Sequence, residues 1–295
     1  MRTQFKETVT DLARNDDKII LIFGDVSVYL FNDFKTQYPE RFYNMGICEN
    51  TLISAAAGLS SQGFFPIVHS ITPFITERCF EQIKLDMCYN QFGGNIVSTG
   101  ASFDYAWDGA THHAYTDLAI LRLLPGIEVI QPGSRKELDI LFRSQYNNGK
   151  TTYFRLSDHP HSIDLPVEFG KGVVIKDNSA LLTVITAGPL LENVWKACES
   201  LDVNLLYFHT IKPIDEELIM KYRDTKILVI QDALGLFDAI CQIPKISITS
   251  KGLPEAFCSW YGNVSDIRKQ MGLDVNSIKK TIIAHMPRNK RKRKG

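Results

Sequence analysis

The sequence lacks the short signatures that mark many common enzyme chemistries. It contains no G-x-x-x-x-G-K-[ST] phosphate cradle, no G-x-G-x-x-G, no H-E-x-x-H and no G-x-S-x-G. Its six cysteines, at positions 48, 79, 88, 198, 241 and 258, form no C-x-x-C pair and lie mostly in apolar runs. They predict buried thiols in a reducing compartment, with neither a disulfide framework nor a metal cluster. No apolar run approaches the roughly 20 residues a membrane-spanning helix needs, and the first residues lack a secretory hydrophobic region. The expectation is a cytoplasmic protein with no membrane partner. The chain is not charge-biased either: 33 Lys and Arg balance 33 Asp and Glu. That balance hides an asymmetry, because residues 288–295 hold six Lys or Arg and no acid. We read residues 287–295 as a solvated, disordered basic tail, with no nucleic-acid partner expected.

At 295 residues the chain has room for two ordinary domains. Short β-type runs at 19–23, 65–69, 95–98, 127–131 and 152–155 alternate with helical patterns at 3–15, 52–60, 76–87, 115–122 and 134–146. Strands alternating with helices imply a parallel sheet with right-handed crossovers. The pattern loosens after residue 157, with two prolines and several glycines, then restarts near residue 181. The expected fold is therefore α/β, with a parallel-sheet domain over 1–160, a linker over 161–178 and a smaller, mostly parallel domain over 179–286.

In open parallel sheets, chemistry gathers in loops at the carboxyl ends of the strands. There the sequence offers Asp25, Glu49, the stretch 70–74, the loop 99–113 and residues 155–161. Glu49 opens a helical run of small apolar residues. It serves either as a first-turn carboxylate facing the helix dipole or as a buried acid that shares a proton with a ligand nitrogen. The loop 99–113 packs Asp104, Tyr105, Trp107, Asp108, His112 and His113 into ten residues. Adjacent histidines invite a metal reading, but no third ligand stands at a recognisable spacing, so no metal is assigned to this chain.

Five blocks in order carry a family resemblance: Gly46-Ile47-Cys48-Glu49-Asn50, Ala55-Ala56-Ala57-Gly58-Leu59, Arg78-Cys79-Phe80-Glu81-Gln82-Ile83, Asp108-Gly109-Ala110-Thr111-His112, and Phe208 through Asp215. Across residues 2–286 the chain resembles the pyrimidine-binding and C-terminal domains of the transketolase family. More distantly it resembles deoxyxylulose-phosphate synthase; a condensing enzyme of that kind, or the beta chain of a two-oxoacid dehydrogenase, is the runner-up reading. The resemblance implies a thiamine-diphosphate-dependent transferase that moves a two-carbon ketol or an acyl unit. In it, Glu49 would exchange a proton with a pyrimidine ring nitrogen and so help activate the thiazolium carbon. Phe74 would lie against the pyrimidine, with Ile47, Ile71 and Phe80 also lining the cofactor site. His112 would act in catalysis. Asp108, His112, His113, Arg155, Asp158, Asp25 and Arg2 would contact the sugar. The D-G-x-T-H element favours the sugar-handling branch over the dehydrogenase branch. A catalytically silent binding half-enzyme is the non-enzymatic alternative, and an intact Glu49 argues against it.

The family's diphosphate-binding domain and its metal motif have no counterpart here. The resemblance thus implies one half of a split enzyme, with Mg2+ and the diphosphate held by a separate N-terminal-half subunit in an α2β2 heterotetramer. Where the family carries Ser-Arg for a sugar phosphate, this chain reads Ser157-Asp158. Aspartate repels a phosphate dianion. Arg155 and Arg2 are the sequence's candidate replacements, and Asp158 and His161 would read a hydroxyl or amine on a modified acceptor.

Overall fold

A computed structural model describes residues 1–287; the basic tail at 288–295 lies outside the described residues. Twelve strands among these residues form two sheets. In the first lobe, β1 (Ile19–Phe23), β2 (Phe42–Asn44), β3 (Phe65–Ile71), β4 (Gly94–Thr99), β5 (Glu128–Ile130) and β6 (Thr151–Arg155) run parallel. In the second, β8 (Leu182–Ala187), β9 (Asn204–Phe208), β11 (Lys226–Ile230) and β12 (Ser247–Lys251) do the same. The chain is α/β with two mostly parallel sheets, as its alternating pattern leads one to expect. Strands such as β1, β4, β6 and β8 are buried at every residue. Helices cover both faces of such sheets, so their strands read as continuous apolar runs.

Two strands depart from the expected layout. Val173–Lys176 forms β7, antiparallel to β9, inside the stretch read as linker. Thr210–Lys212 forms β10, which leaves the second lobe and pairs antiparallel with β5 at the edge of the first sheet. The order of the seven-stranded sheet is therefore β10-β5-β6-β4-β3-β1-β2, and that of the five-stranded sheet β12-β11-β8-β9-β7. Because β10 crosses over, one apolar cluster runs from Leu52, Val68 and Tyr153 into Ile185, Leu206 and Val229. The lobes are knitted, not merely tethered.

The predicted helix over 76–87 is also broken. A short helix, Thr72–Thr76, carries Phe74 and has Pro73 in its first turn, where proline is tolerated. Phe80–Gln82 and a π-helical segment, Ile83–Tyr89, follow after a gap. The break turns Arg78 towards the helix Glu49–Ser61, whose first residue it meets. Farther on, Ser134 caps the helix Arg135–Gln145 and Asp215 caps Glu216–Lys221, both through backbone N–H groups three residues ahead.

Candidate active site

Glu49 is the first residue of the helix Glu49–Ser61 and is 2% exposed. Its Oε1 accepts from the Ser70 hydroxyl at 3.1 Å and its Oε2 from Arg78 Nη1 at 2.9 Å. Ser70 comes from β3, so the acid is held near the carboxyl end of that strand. Asn50 donates to the Arg78 carbonyl and to Gln82 Oε1, fixing the broken helix against the Glu49 helix. The Arg78 side chain is 46% exposed and its guanidinium lies 4.5 Å from the centre of the Phe74 ring. That distance is a cation–π contact. The His112 imidazole also meets the Phe74 ring, edge-on at 5.0 Å. Glu49, Arg78, Phe74 and His112 thus form one contiguous line.

The loop after β4 supplies the next part. Asp108 is exposed, next to the exposed Trp107. The Thr111 hydroxyl contacts His112 Nδ1 at 2.9 Å and donates to the Asp108 carbonyl at 3.2 Å, so the segment folds back on itself. Gly109 sits at φ +70 with the Tyr261 ring where a Cβ would go, and only glycine meets both conditions. His113 points away from its neighbour. It is buried, edge-on to Phe103 at 5.1 Å, and burial lowers its pKa. The adjacent histidines therefore face different surroundings.

Not every residue assigned from sequence reaches this line. Ile71 ends β3 half-buried, Phe80 packs partly against the core, and Ile47 is 75% exposed, two residues before Glu49. Asp25, exposed and in the left-handed region at φ 69, exchanges hydrogen bonds with Asn44 at the end of β2. Arg155 is a correction. It is fully buried, with Nε on Asp117 at 2.7 Å and Nη2 on Ser102 Oγ and the Ala114 carbonyl. Burial works against its charge, and the Asp117 carboxylate outweighs that and holds the guanidinium above its ordinary value. It clamps the two ends of the 102–114 loop from a fully buried position, with Nη1 alone left without a partner. His161 is a second correction. It is buried with Nε2 3.1 Å from Glu137 Oε1, and Glu137 also accepts from the Tyr207 hydroxyl of the second lobe. That histidine belongs to the junction between lobes.

Four residues of the site receive no role from the sequence: Ser70, Arg78, Asp104 and Asp117. Arg78 stands in one of the family-like blocks, and Asp104 in the conspicuous loop, yet only the fold brings them to the acid and to Asp158. Among the described residues, no three His, Cys, Asp or Glu side chains gather as metal ligands, and no helix is long and apolar enough to cross a membrane.

The family model described as the transketolase pyrimidine-binding domain matches residues 1–159. The chain belongs to the transketolase family. It is similar to a protein of Methanocaldococcus jannaschii described as a putative transketolase C-terminal section, at 29% identity over 97% of this chain and 96% of that one. It is also similar to one of the subunits of the apulose-4-phosphate transketolase of Phocaeicola vulgatus, at 27% identity over 96% of each. Among solved structures, a split-gene transketolase described as an inactive beta4 tetramer superposes with a TM-score of 0.85 at 25% identity, covering 96% of this chain and 97% of that one. Transketolase relatives thus share both this chain's extent and its two-sheet architecture.

Proposed function

We propose that this transketolase-family chain is one subunit of a two-chain, thiamine-diphosphate-dependent transferase that passes a two-carbon ketol unit to a sugar or modified-sugar acceptor. The observation that carries this is Glu49: an acid almost entirely withdrawn from water, at a helix start, with a half-exposed partner a ligand can displace. A buried carboxylate needs a hydrogen-bonding partner to offset its desolvation. An aminopyrimidine nitrogen is such a partner, and Phe74, in contact with the same arginine, offers a ring for the heterocycle to stack on. The residues present fit the pyrimidine half of the cofactor. They offer nothing comparable for a diphosphate or its Mg2+, which we assign to the companion chain.

Thiamine diphosphate, when bound, supplies the nucleophilic carbon and the electron sink that ketol transfer requires. The chain's own residues do the rest. Glu49 shares a proton with the pyrimidine, and Phe74 orients it. Ile71 and Phe80, both half-buried, and Ile47, once the companion chain covers it, exclude water around it. His112, held by Thr111 and packed on Phe74, gives or takes a proton at a substrate hydroxyl, and Asp108 accepts a hydrogen bond from one. Asp25, bonded to Asn44, and His113, packed on Phe103, stand outside this line, the latter as packing for the loop.

Two observations support a companion subunit. Relatives of the same extent are described as a transketolase C-terminal section and as one subunit of a transketolase. Close in sequence to the buried Glu49, Tyr43, Met45 and Ile47 expose 47%, 39% and 75% of their surfaces. Exposed apolar side chains around a buried acid suit a surface that another chain covers. A heterotetramer around a two-fold axis is the assembly we expect. The test is co-purification of the companion, then titration with thiamine diphosphate and Mg2+ with and without it. Saturable binding that requires the companion is expected; saturable binding by this chain alone, unchanged when the companion is added, would defeat the split-site reading.

A further inference from the structure

The line of side chains that begins at Glu49 continues past His112. Tyr105 lies edge-on to His112, ring centres 6.1 Å apart. Asp104, the chain neighbour of Tyr105, is bonded to Asp158, and Asp158 is paired with Arg2, so Arg2 stands next in the line. Arg2 is committed. It grips Asp158 through both carboxylate oxygens, Nε to Oδ1 at 3.2 Å and Nη2 to Oδ2 at 3.0 Å. Asp158 in turn donates its backbone N–H to Asp104 Oδ2 at 2.7 Å, and Ser157 donates its hydroxyl to Asp104 Oδ1 at 3.0 Å.

The two arginines along this line are therefore already engaged by carboxylates: Arg78 by Glu49 and Arg2 by Asp158. Asp104 and Asp108 add two more acids, and neither forms an ion pair among the described residues. Burial pushes Asp104 up to about 7, against the hydrogen bonds it accepts, so near neutral pH it holds a proton part of the time. A phosphate dianion arriving here would have to open a bidentate arginine–aspartate pair and then sit beside a second acid. Bidentate pairs are the stronger kind of ionic contact, and like charges raise the cost further. A hydroxyl or an ammonium group meets the opposite situation, since it can donate to either aspartate with nothing broken.

We infer that Arg2, Asp158 and Asp104 form a charge lock at the far end of this line from Glu49, selecting a hydroxyl- or amine-bearing sugar terminus and rejecting a phosphate ester. This rests on the reading of His112 and its neighbours as a sugar site. Asp158 is the specificity-determining residue, because its charge is what occupies Arg2.

The experiment compares ribose with ribose 5-phosphate, and inorganic phosphate alone, by calorimetric or NMR titration of the full chain. Wild type is expected to bind the phosphate ester no more tightly than ribose. Asp158→Asn keeps the backbone N–H that Asp104 accepts but frees the guanidinium, and should gain about tenfold or more for the phosphate ester, which is roughly 1.4 kcal/mol. The double variant Arg2→Gln, Asp158→Asn should lose that gain. Thermal unfolding of each variant, with a midpoint near that of wild type, establishes that the fold survives; Asp158 is partly exposed, so it should. The lock is overturned by a wild type that prefers the phosphate ester, by an Asp158→Asn chain that gains nothing, or by a gain that persists without Arg2. None of these titrations uses thiamine diphosphate. A preference for phosphate in wild type would therefore sink the lock and leave the transferase reading standing, whereas failure of the cofactor titration would sink the transferase reading without deciding whether Asp158 keeps phosphate off Arg2.

Discussion

Two acid–arginine pairs lie within one lobe and differ in how far water reaches them. In Asp117–Arg155 both side chains are wholly buried, 2.7 Å apart, and the Tyr153 hydroxyl donates to the same carboxylate oxygen. In Glu49–Arg78 the acid is almost as hidden but the arginine is 46% exposed, at 2.9 Å. A charge pair withdrawn from water is locked, because removing either partner strands the other in a medium that cannot solvate it. A pair with one member in water can exchange that member for a ligand at modest cost. The first pair holds the loop that carries His112; the second keeps Glu49 available.

The largest effect should come from the sealed pair. Arg155→Ala leaves Asp117 buried without its counter-ion and should cost about 3–5 kcal/mol of stability, read by urea denaturation. A loss below about 1 kcal/mol would mean that water reaches Asp117 and that the two pairs are alike. Next is the acid of the open pair. Glu49→Gln keeps the shape and should leave stability nearly unchanged, while turnover of the assembled enzyme falls at least about a hundredfold. Near-wild-type rates in that variant would remove Glu49 from the chemistry. The smallest effect belongs to the open pair's arginine: Arg78→Gln should change stability by no more than about 1 kcal/mol, since the guanidinium is itself half in water and a glutamine amide can still donate to Glu49. A loss as large as that for Arg155 would make Arg78 a structural ion.

Nothing in the local sequence distinguishes these pairs. Arg155 reads as a charged residue at a strand end and Arg78 as one within a helix, and by position alone Arg155 is the candidate ligand; neither position tells how deep its pair lies. What separates them is depth. Arg155 ends a strand flanked by β4 and β5, beneath the 102–114 loop, whereas Arg78 follows a broken helix at the surface. The helix break itself is hidden because residues 76–87 keep a helical apolar rhythm; Asn50, bonded to both the Arg78 carbonyl and Gln82, spans the interruption. The crossing strand β10 is hidden for a similar reason. Three residues after a buried strand carry too little pattern to say which sheet they join, and only the pairing with β5 decides it.

Local chemistry did suffice for much of the molecule. Alternation of apolar runs with helical periodicity yields two mostly parallel sheets, since only helices on both faces can bury such strands. The caps at Ser134 and Asp215, the helix start at Glu49 and the aspartate at 158 in place of arginine are properties of single positions, and they survive into the fold. Which charges are spent on each other depends instead on partners far apart in the chain, Arg78 with Glu49, Arg155 with Asp117 and Arg2 with Asp158. Pairings of that kind are set by packing, and so the tertiary structure alone determined which arginine is sealed, which is exchangeable and which is held by Asp158.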